Sequence, residues 1–287
     1  MTGSDAMSER SRLTATTTPT LHVDVNGTRF AYRQLGPDSE VPLVFLHHFT
    51  ATIDDWDPRV LDDIAAERRV VVFDNRGIGG SAGRVPTTVE AMAEDAIEVI
   101  RALGHDRVDL LGFSLGGFIA QVIATIEPSL VRRMVLAGTG PAGSAKAGLL
   151  NRRVLTDTLQ GTVRLKNPKP LLFFTRTENG RTAGAAYMDR IAERTQDRVP
   201  TTTPRGASAQ LIAIQRWGAQ APMDLGHITQ PVLVANGEDD RMVPTRGSFD
   251  LVHRLPDAEL AIYPDAGHGG VFQYREKFVS HVLAFLA

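Results

Sequence analysis

One serine stands in a setting that suits nucleophilic chemistry. Ser114 lies midway between Gly112 and Gly116 in a Gly-x-Ser-x-Gly pattern, with an apolar run before it and an apolar stretch, residues 118–126, after it. This context predicts a strand, a sharp turn and a helix. The turn strains the serine backbone, and the glycines are needed where side chains would collide with neighbouring elements. We predict that Ser114 is a nucleophile at the positive end of a helix; a glycine-rich turn without chemistry is the alternative.

His268 is the candidate general base. A serine hydroxyl is a poor nucleophile at neutral pH and needs a base that accepts its proton. In parallel sheets the reacting groups gather at the carboxyl ends of the strands, and His268 follows the predicted strand 259–263. Gly267 and Gly269 flank it and let the loop approach another backbone. The order serine, acid, histidine is the one expected with this nucleophile turn; the alternative is a loop histidine with no role.

Three acids follow the predicted strand 231–235, and each is a candidate for the carboxylate that orients the base. We favour Asp240, because it begins an Asp-x-x-x-Pro segment that ends at Pro244 and is typical of a turn leading into a helix. Asp239 is the nearest alternative and Glu238 a more distant one, since an offset of one residue is hard to fix from sequence. A solvated acidic loop is the interpretation without chemistry.

Attack on a carbonyl produces an oxyanion that needs preorganised N–H donors. We predict an oxyanion hole made by the backbone N–H of Leu115, at the start of the helix, and that of Phe49, in the loop after the strand 42–47. His47 and His48 precede Phe49. Neighbouring loop residues rarely converge on one ion, and no zincin-like spacing occurs, so we predict no metal and no cofactor. The simpler interpretation of His47 is a packed residue that shapes the loop.

Strands that alternate with helices predict an α/β fold with a mostly parallel sheet covered on both faces. The chain opens with a hairpin that turns at Asn26 and Gly27. The predicted strands are 21–25, 28–34, 42–47, 69–73, 107–111, 131–137, 231–235 and 259–263. The predicted helices are 54–67, a segment capped by Thr87 and Glu90 that runs to Leu103, 118–126, 245–254 and 274–286.

The alternation stops between residues 142 and 222, where only helical patches occur. They lie at residues 149–159, 171–174, 183–194 and 207–217. We therefore predict a disordered tail over residues 1–20, an α/β core over 21–141 and 223–287, and an inserted helical cap (lid) over 142–222. Apolar side chains of the cap are expected to line a pocket for a small-molecule substrate with an apolar acyl or ring group.

Composition excludes several classes of partner. The chain has 287 residues, a net charge of -2 and no cysteine. The charge gives no electrostatic case for nucleic acid or an anionic membrane. The missing thiols exclude disulfides and a cysteine nucleophile and fit a cytoplasmic location, which we expect. No apolar run approaches the ~20 residues that span a bilayer, and residues 1–20 lack the apolar core of a secretory signal. Oligomeric state is not readable from these features.

Together these motifs resemble the α/β-hydrolase superfamily over residues 21–287, in particular its serine esterase, lactonase and non-haem haloperoxidase (perhydrolase) branches. The resemblance implies an eight-stranded sheet with a cap over the active site. One departure stands out: the oxyanion loop is usually His-Gly in these families, and here it is His47-His48, which narrows the pocket or adds a donor near the substrate carbonyl. Similar dehalogenases and epoxide hydrolases have an aspartate where Ser114 stands, so those activities are disfavoured. The motifs that carry the resemblance are His47-His48-Phe49, residues 74–81, residues 112–116, residues 237–244 and Gly267-His268-Gly269.

The leading functional hypothesis is a cofactor-free serine hydrolase that cleaves a carboxylic ester or lactone through an acyl-enzyme on Ser114. A perhydrolase, in which peroxide replaces water at the acyl-enzyme, is the second hypothesis. The third comes from another class, a small-molecule receptor on the same fold, and the complete set of Ser114, Asp240 and His268 argues against it. Cleavage of an amide, thioester or carbon–carbon bond remains open, because the pocket determines the substrate.

Overall fold

The computed structural model describes residues 13–143 and 167–287, and the element numbers below run over these residues. Eight strands form one sheet in the order β1-β2-β4-β3-β5-β6-β7-β8. The first two strands form the predicted hairpin, and both β1–β2 and β2–β4 pair antiparallel, whereas the other neighbours pair parallel. The predicted eight-stranded, mostly parallel sheet is therefore confirmed. The strands are β1 (Leu21–Val25), β2 (Thr28–Leu35), β3 (Leu43–Leu46), β4 (Val70–Phe73), β5 (Val108–Phe113), β6 (Val131–Ala137), β7 (Val232–Gly237) and β8 (Ala258–Tyr263).

Helices cover both faces of the sheet. Successive side chains of a strand point to opposite faces, so Val44 and Leu46 of β3 join one apolar core and Leu43 and Phe45 join the other. Burial on both faces explains why these strands are continuous apolar runs. The helices are α1 (Pro58–Ala65), α2 (Val89–Ala102), α3 (Leu115–Ile126), α4 (Lys169–Phe173), α5 (Glu178–Ala192), α6 (Pro204–Ala219), α7 (Arg246–Arg254), α8 (Gly270–Gln273) and α9 (Arg275–Leu286).

Two predicted helix starts need correction. The side chain of Thr88, not Thr87, caps α2 by accepting from the N–H of Ala91. Thr87 instead accepts a hydrogen bond from Arg216 of α6, a long-range contact that sequence spacing does not reveal. The helix predicted from residue 54 begins later, because the side chain of Asp57 caps α1. The last predicted helix, 274–286, is confirmed as α9, whereas the short helix α8 before it was not predicted.

Residues 142–222, which lie between β6 and β7, are called the insert here. Its described part consists of α4, α5, α6 and their connections. The helical patches predicted at 171–174, 183–194 and 207–217 overlap these three helices, whereas the patch at 149–159 lies outside the described residues. Within the ranges 13–143 and 167–287, no helix is both long and apolar enough to cross a membrane.

Three aspartates of the loop before α1 hold the insert on the core. Asp57 pairs with Arg190 at 2.7 Å, and the Asp57 side chain is fully buried. Asp55 forms an ion pair with Lys169 at the start of α4, and its carbonyl accepts from the hydroxyl of Tyr187. The third aspartate, residue 54, accepts from the N–H of Val199 at 2.8 Å. These contacts fix one edge of the insert.

The chain before β1 differs from the predicted tail over residues 1–20. Residues 13–20 pack on the core and the insert, with Ala15 and Thr18 buried. The N–H of Ala15 donates to Asp62 over 2.6 Å, and its carbonyl accepts from Arg194 of the insert. The low hydrophobicity that suggested disorder is offset here by hydrogen bonds to charged side chains. The first part of that tail, residues 1–12, lies outside the described residues.

Candidate active site

The turn at Ser114 joins β5 to α3 without an intervening loop. Ser114 adopts φ 56° and ψ -115°, a strained conformation for a residue with a side chain. A Cβ on Gly116 would lie 2.0 Å from the carbonyl oxygen of Leu46, and one on Gly112 would lie 2.4 Å from that of Gly116. The glycines are therefore required by close backbone approach. The turn places Ser114 at the amino end of α3, where the helix dipole is positive.

Both backbone groups of Ser114 are fixed by residues at the end of β6. Its N–H donates to the carbonyl of Ala137 over 2.9 Å. Its carbonyl accepts from the hydroxyl of Thr139 over 2.9 Å. These bonds stabilise the strained turn from the neighbouring strand. Sequence analysis did not single out Thr139; its position just after a buried strand, at the edge where site residues gather, was the available signal.

His268 and Asp240 form the hydrogen-bonded pair that sequence analysis favoured. Nδ1 of His268 lies 2.7 Å from Oδ2 of Asp240, and both side chains are buried. The other carboxylate oxygen accepts from the backbone N–H groups of Met242 and Val243, at 2.8 and 3.0 Å. The Asp-x-x-x-Pro segment thus folds back onto its own carboxylate. A carboxylate held by three donors keeps one orientation and so fixes the imidazole.

The imidazole of His268 lies beside the Ser114 turn. Its ring centroid is 4.8 Å from that of Phe113, the residue before Ser114. A Cβ on Gly138 would lie 2.8 Å from a ring carbon of Phe113 and 3.2 Å from Cε1 of His268, so a side chain there would crowd both rings. Nδ1 is taken by Asp240, and Nε2 is buried without a hydrogen-bond partner among the described residues.

Asp239 and Glu238, the two alternative acids, do not contact His268. Both residues are exposed, and both use backbone groups for the fold. The N–H of Glu238 donates to the carbonyl of Tyr263, and that of Asp239 donates to the carbonyl of Ala266. These two bonds join the segment after β7 to the end of β8 and to the loop that follows it, which also carries His268.

The loop after β3 passes over the start of α3, where Leu115 is the first helical residue. The close approach of Gly116 to the backbone of Leu46 and His47 brings this loop to the helix. The first N–H groups of a helix have no acceptor within the helix. The predicted oxyanion donors, the N–H groups of Phe49 and Leu115, thus belong to two segments that pack against each other.

The insert supports the loop after β3. Thr50 adopts φ 62°, and its N–H donates to Oε1 of Gln210 over 2.8 Å. Its carbonyl accepts from the hydroxyl of Thr202 at 2.8 Å. Gln210 is fully buried on α6. Neither residue of the insert was identified from sequence, because their partner lies some 150 positions away and periodicity carries no such information.

His47 is a structural residue of the same loop. Its Nδ1 accepts from the indole N–H of Trp56 over 2.7 Å, and its Nε2 faces Asp74 at 3.7 Å. The carboxylate of Asp74 accepts hydrogen bonds from the N–H groups of Ile53 and Gly80. These contacts agree with the simpler interpretation of His47, a packed residue that shapes the loop.

His48 is buried among the aromatic rings of the site. Its ring lies edge-on to Phe113 and Phe173, with centroids 5.3 and 5.2 Å away. Nδ1 is 2.9 Å from the carbonyl oxygen of Phe49. Burial, reinforced by the nearby Lys169 charge, lowers the pKa of His48 to about 3. The imidazole is therefore neutral at physiological pH.

The insert also contacts the loop that carries His268. The N–H of Gly269 donates to the carbonyl of Phe173 over 2.7 Å. On the other side of His268, the carboxylate of Asp265 accepts from Thr177, at 3.0 Å, and from Asn179. The hydrogen bond from Asn179, with those from neighbouring threonine hydroxyls, holds the pKa of Asp265 below its ordinary value.

The fold and the site define a hydrolase, and comparison with known proteins agrees: the chain belongs to the α/β-hydrolase family, whose model, described as alpha/beta hydrolase fold, matches residues 41–273. It is 27% identical over 277 residues to the protein named "Putative carbamate hydrolase RutD" of Agrobacterium fabrum, covering 93% of this chain and 98% of that one. It is 28% identical to the non-heme chloroperoxidase of Streptomyces lividans, covering 91% and 97%. A solved α/β-hydrolase fold protein from Chitinophaga pinensis is 40% identical, with a TM-score of 0.91 and coverage of 96% and 99%.

Proposed function

We propose that this α/β hydrolase is a serine hydrolase that cleaves a carboxylic ester or lactone through an acyl-enzyme on Ser114. The observation that carries the proposal is the buried 2.7 Å hydrogen bond between Asp240 and His268, set beside the strained turn at Ser114. A nucleophile, a base and an orienting carboxylate are the groups that acyl transfer requires.

The carboxylate determines which nitrogen of His268 reacts. Because Asp240 accepts from Nδ1, the neutral imidazole carries its proton there and leaves a lone pair on Nε2. Nε2 removes the proton of the Ser114 hydroxyl as the oxygen attacks the carbonyl carbon. The imidazolium that forms is stabilised by Asp240 and then protonates the leaving oxygen. Water attacks the acyl-enzyme in the second half of the reaction, with His268 again as the base.

The negative charge on the carbonyl oxygen is assigned to the N–H groups of Leu115 and Phe49. The start of α3 adds a favourable dipole at the same place. Support for this assignment comes from the fixed backbone around both groups. Thr139 holds the carbonyl of Ser114, and Gln210 holds the N–H of Thr50. Donors that are fixed before the reaction lose no orientation energy during it.

The names of two relatives bear on the acyl group and its acceptor. The name of the RutD protein specifies a carbamate, whose carbonyl carbon is bonded to oxygen and nitrogen and is open to the same attack by a serine hydroxyl. The chloroperoxidase favours the second candidate, a perhydrolase in which hydrogen peroxide replaces water at the acyl-enzyme. The buried rings of Phe113 and Phe173 beside His268 favour contact with apolar parts of the substrate.

Ser114→Ala tests the proposal directly. Wild-type protein should hydrolyse a series of chromogenic esters and lactones of graded acyl length, and a fluorophosphonate probe should label it at Ser114. The variant should lose both activities while it retains its circular dichroism spectrum. Ser129→Ala, an exposed serine after α3, is the matched control and should react like the wild type. Turnover by the Ser114 variant, or a wild type that neither reacts with the probe nor turns over any ester, would refute the mechanism.

A further inference from the structure

His48 directly precedes the proposed oxyanion donor Phe49. An imidazole there is surrounded by the rings of Phe113 and Phe173. Both of these rings also contact the imidazole of His268, with centroids 4.8 and 5.3 Å away. His48 therefore lies within the reacting site, on the segment that would hold the substrate carbonyl.

The tautomer of His48 follows from its backbone contact. The carbonyl oxygen of Phe49 can only accept, so Nδ1, 2.9 Å away, must donate and carries the proton. A neutral imidazole has one proton on its two ring nitrogens. Nε2 is consequently an acceptor with a free lone pair. Of the two roles that the sequence suggested for this histidine, a narrower pocket or an extra donor, this tautomer does not fit the second, because Nε2 accepts rather than donates.

Nε2 of His48 is buried without a hydrogen-bond partner in residues 13–143 and 167–287. A buried polar atom without a partner costs about 1–3 kcal/mol. Three charged or titratable groups interact with this imidazole: Lys169, Asp55 and His268. Lys169 donates its ammonium hydrogen bond to Asp55, and Nε2 of His268 serves the nucleophile in the proposed mechanism. None of these groups is hydrogen-bonded to Nε2 of His48.

Accepting the proposed function, we infer that Nε2 of His48 accepts a hydrogen bond from an O–H or N–H group on the acyl side of the substrate, next to the scissile carbonyl. His268 protonates the leaving group, so the leaving group lies on its side of the site. We assign His48 to the acyl half because it directly precedes Phe49, whose N–H is assigned to the carbonyl oxygen. The enzyme therefore selects esters with a donor beside the carbonyl, such as 2-hydroxy esters, over those without one.

Three small esters that differ in the group beside the carbonyl test whether His48 accepts a hydrogen bond from the substrate. Ethyl lactate has the hydroxyl donor, ethyl propionate lacks the oxygen, and ethyl 2-methoxypropanoate keeps the oxygen without the hydrogen. A pH-stat measures kcat/KM for each as acid is released. Wild-type protein should prefer the lactate at least tenfold over both others, because a site with a buried acceptor rejects a substrate that leaves it unpaired.

Two variants change the acceptor with little change of volume. His48→Phe keeps a ring among the aromatic neighbours and should reduce the lactate preference at least tenfold. His48→Gln places an amide oxygen near the position of Nε2 and should retain a larger share of the preference. The three esters also differ in intrinsic reactivity. This difference cancels when the kcat/KM ratio of two esters is compared between the wild type and a variant. His105→Phe is the control, because its Nε2 is also buried without a partner but lies before β5, at the opposite end of the sheet.

The outcomes distinguish this inference from the proposed function. Fluorophosphonate labelling and the circular dichroism spectrum check that each variant retains the fold and Ser114 reactivity. Equal use of the three esters by the wild type, or an unchanged lactate preference in a folded His48→Phe, would overturn the role of His48 while the serine mechanism stands. Should His48→Phe not fold, the preference of His48→Gln decides, since a fall to the propionate level would contradict an acceptor role. Absence of both labelling and ester turnover in the wild type would remove the proposed function and this inference with it.

Discussion

The backbone N–H of Gly269 donates to the carbonyl of Phe173 over 2.7 Å, which joins the residue after His268 to the first described helix of the insert. A second contact lies three residues before His268, where Thr175 and Thr177 donate to the carboxylate of Asp265. A Cβ on Gly267 would lie 2.6 Å from the carbonyl oxygen of Phe173. The insert therefore supports the loop of the candidate base from both sides, in addition to covering the core.

Asp265→Ala should loosen the His268 loop. We expect kcat to fall about tenfold, because a base displaced by a fraction of an ångström transfers protons less efficiently. KM should change little, because the base contributes little to substrate binding. The rate of fluorophosphonate labelling at Ser114 should fall in parallel. Asp250→Ala, which removes an exposed carboxylate paired with Arg254 on α7, is the control. A kcat equal to that of the wild type would show that Asp265 does not position the base.

Asp240→Asn and Asp239→Asn test the acid that orients the imidazole. The amide of the first variant supplies a donor to Nδ1 and favours the wrong tautomer, so kcat should fall about 10³–10⁴-fold. The side chain of Asp239 does not contact His268, and its amide variant should stay within about twofold of the wild type. Steady-state kinetics on one chromogenic ester measures kcat for both variants and the wild type. Similar losses in both variants would contradict the single-acid arrangement.

Much of the fold could be predicted from sequence, because the central strands of its sheet are buried on both faces. Runs such as 43–46 and 70–73 are apolar throughout, and glycine patterns mark turns that follow buried strands, as after residues 73 and 111. Ser114 and His268 carry local signals of the same kind: a glycine pattern and a position after a strand. Asp240 was distinguishable from Asp239 by the following proline, whose segment folds back onto the carboxylate.

Long-range side-chain partners could not be predicted. Gln210 supports Thr50, and Thr139 supports Ser114, through single hydrogen bonds between segments far apart in the chain. Neither residue belongs to a motif, and each type is ordinary in a helix or a loop. The cap of α2 was misplaced by one residue for a related reason, since Thr87 and Thr88 suit the position equally and the contact of Thr87 with Arg216 comes from tertiary packing.

Gly116→Ala should destabilise the whole protein rather than the site alone. Its Cβ would lie 2.0 Å from the backbone oxygen of Leu46, a contact that a shift of a side chain cannot relieve. We expect a loss of about 3 kcal/mol and a fall in Tm of roughly 5–10 °C. Gly247→Ala is the control, because its nearest neighbour would be an ordinary 3.4 Å away. Thermal unfolding followed by circular dichroism measures both, and equal Tm values would disprove the role of close approach.

Asp57→Ala should detach the edge of the insert. The buried carboxylate binds Arg190 and caps α1 through the N–H of Arg59. Removing one partner of a buried pair typically costs about 3–5 kcal/mol. Asp63→Ala on the same helix breaks a more exposed pair with Arg275 and should cost no more than about 1 kcal/mol. Urea unfolding gives the free energy of unfolding of both variants. An Asp57 variant as stable as the Asp63 variant would argue against the anchoring role.

The stability of the protein should depend on pH through His48. Burial lowers the pKa of His48 to about 3, below that of the unfolded chain, about 6.5. Between these values the unfolded state binds one more proton at this residue, so the free energy of unfolding falls as the pH is lowered. The slope due to one proton is about 1.4 kcal/mol per pH unit.

Urea unfolding of wild type and His48→Phe between pH 7 and 4.5 isolates this contribution. The variant should show a smaller acid loss, because phenylalanine binds no proton, although the ring packs on the same neighbours. Lys169 and Asp55 interact with the imidazole, and the ordinary pKa of an aspartate, about 3.9, lies below this range. The carboxylate therefore stays charged in both states over these pH values and does not add to the slope. Parallel pH profiles for the two proteins would mean that His48 is not held neutral in the folded state.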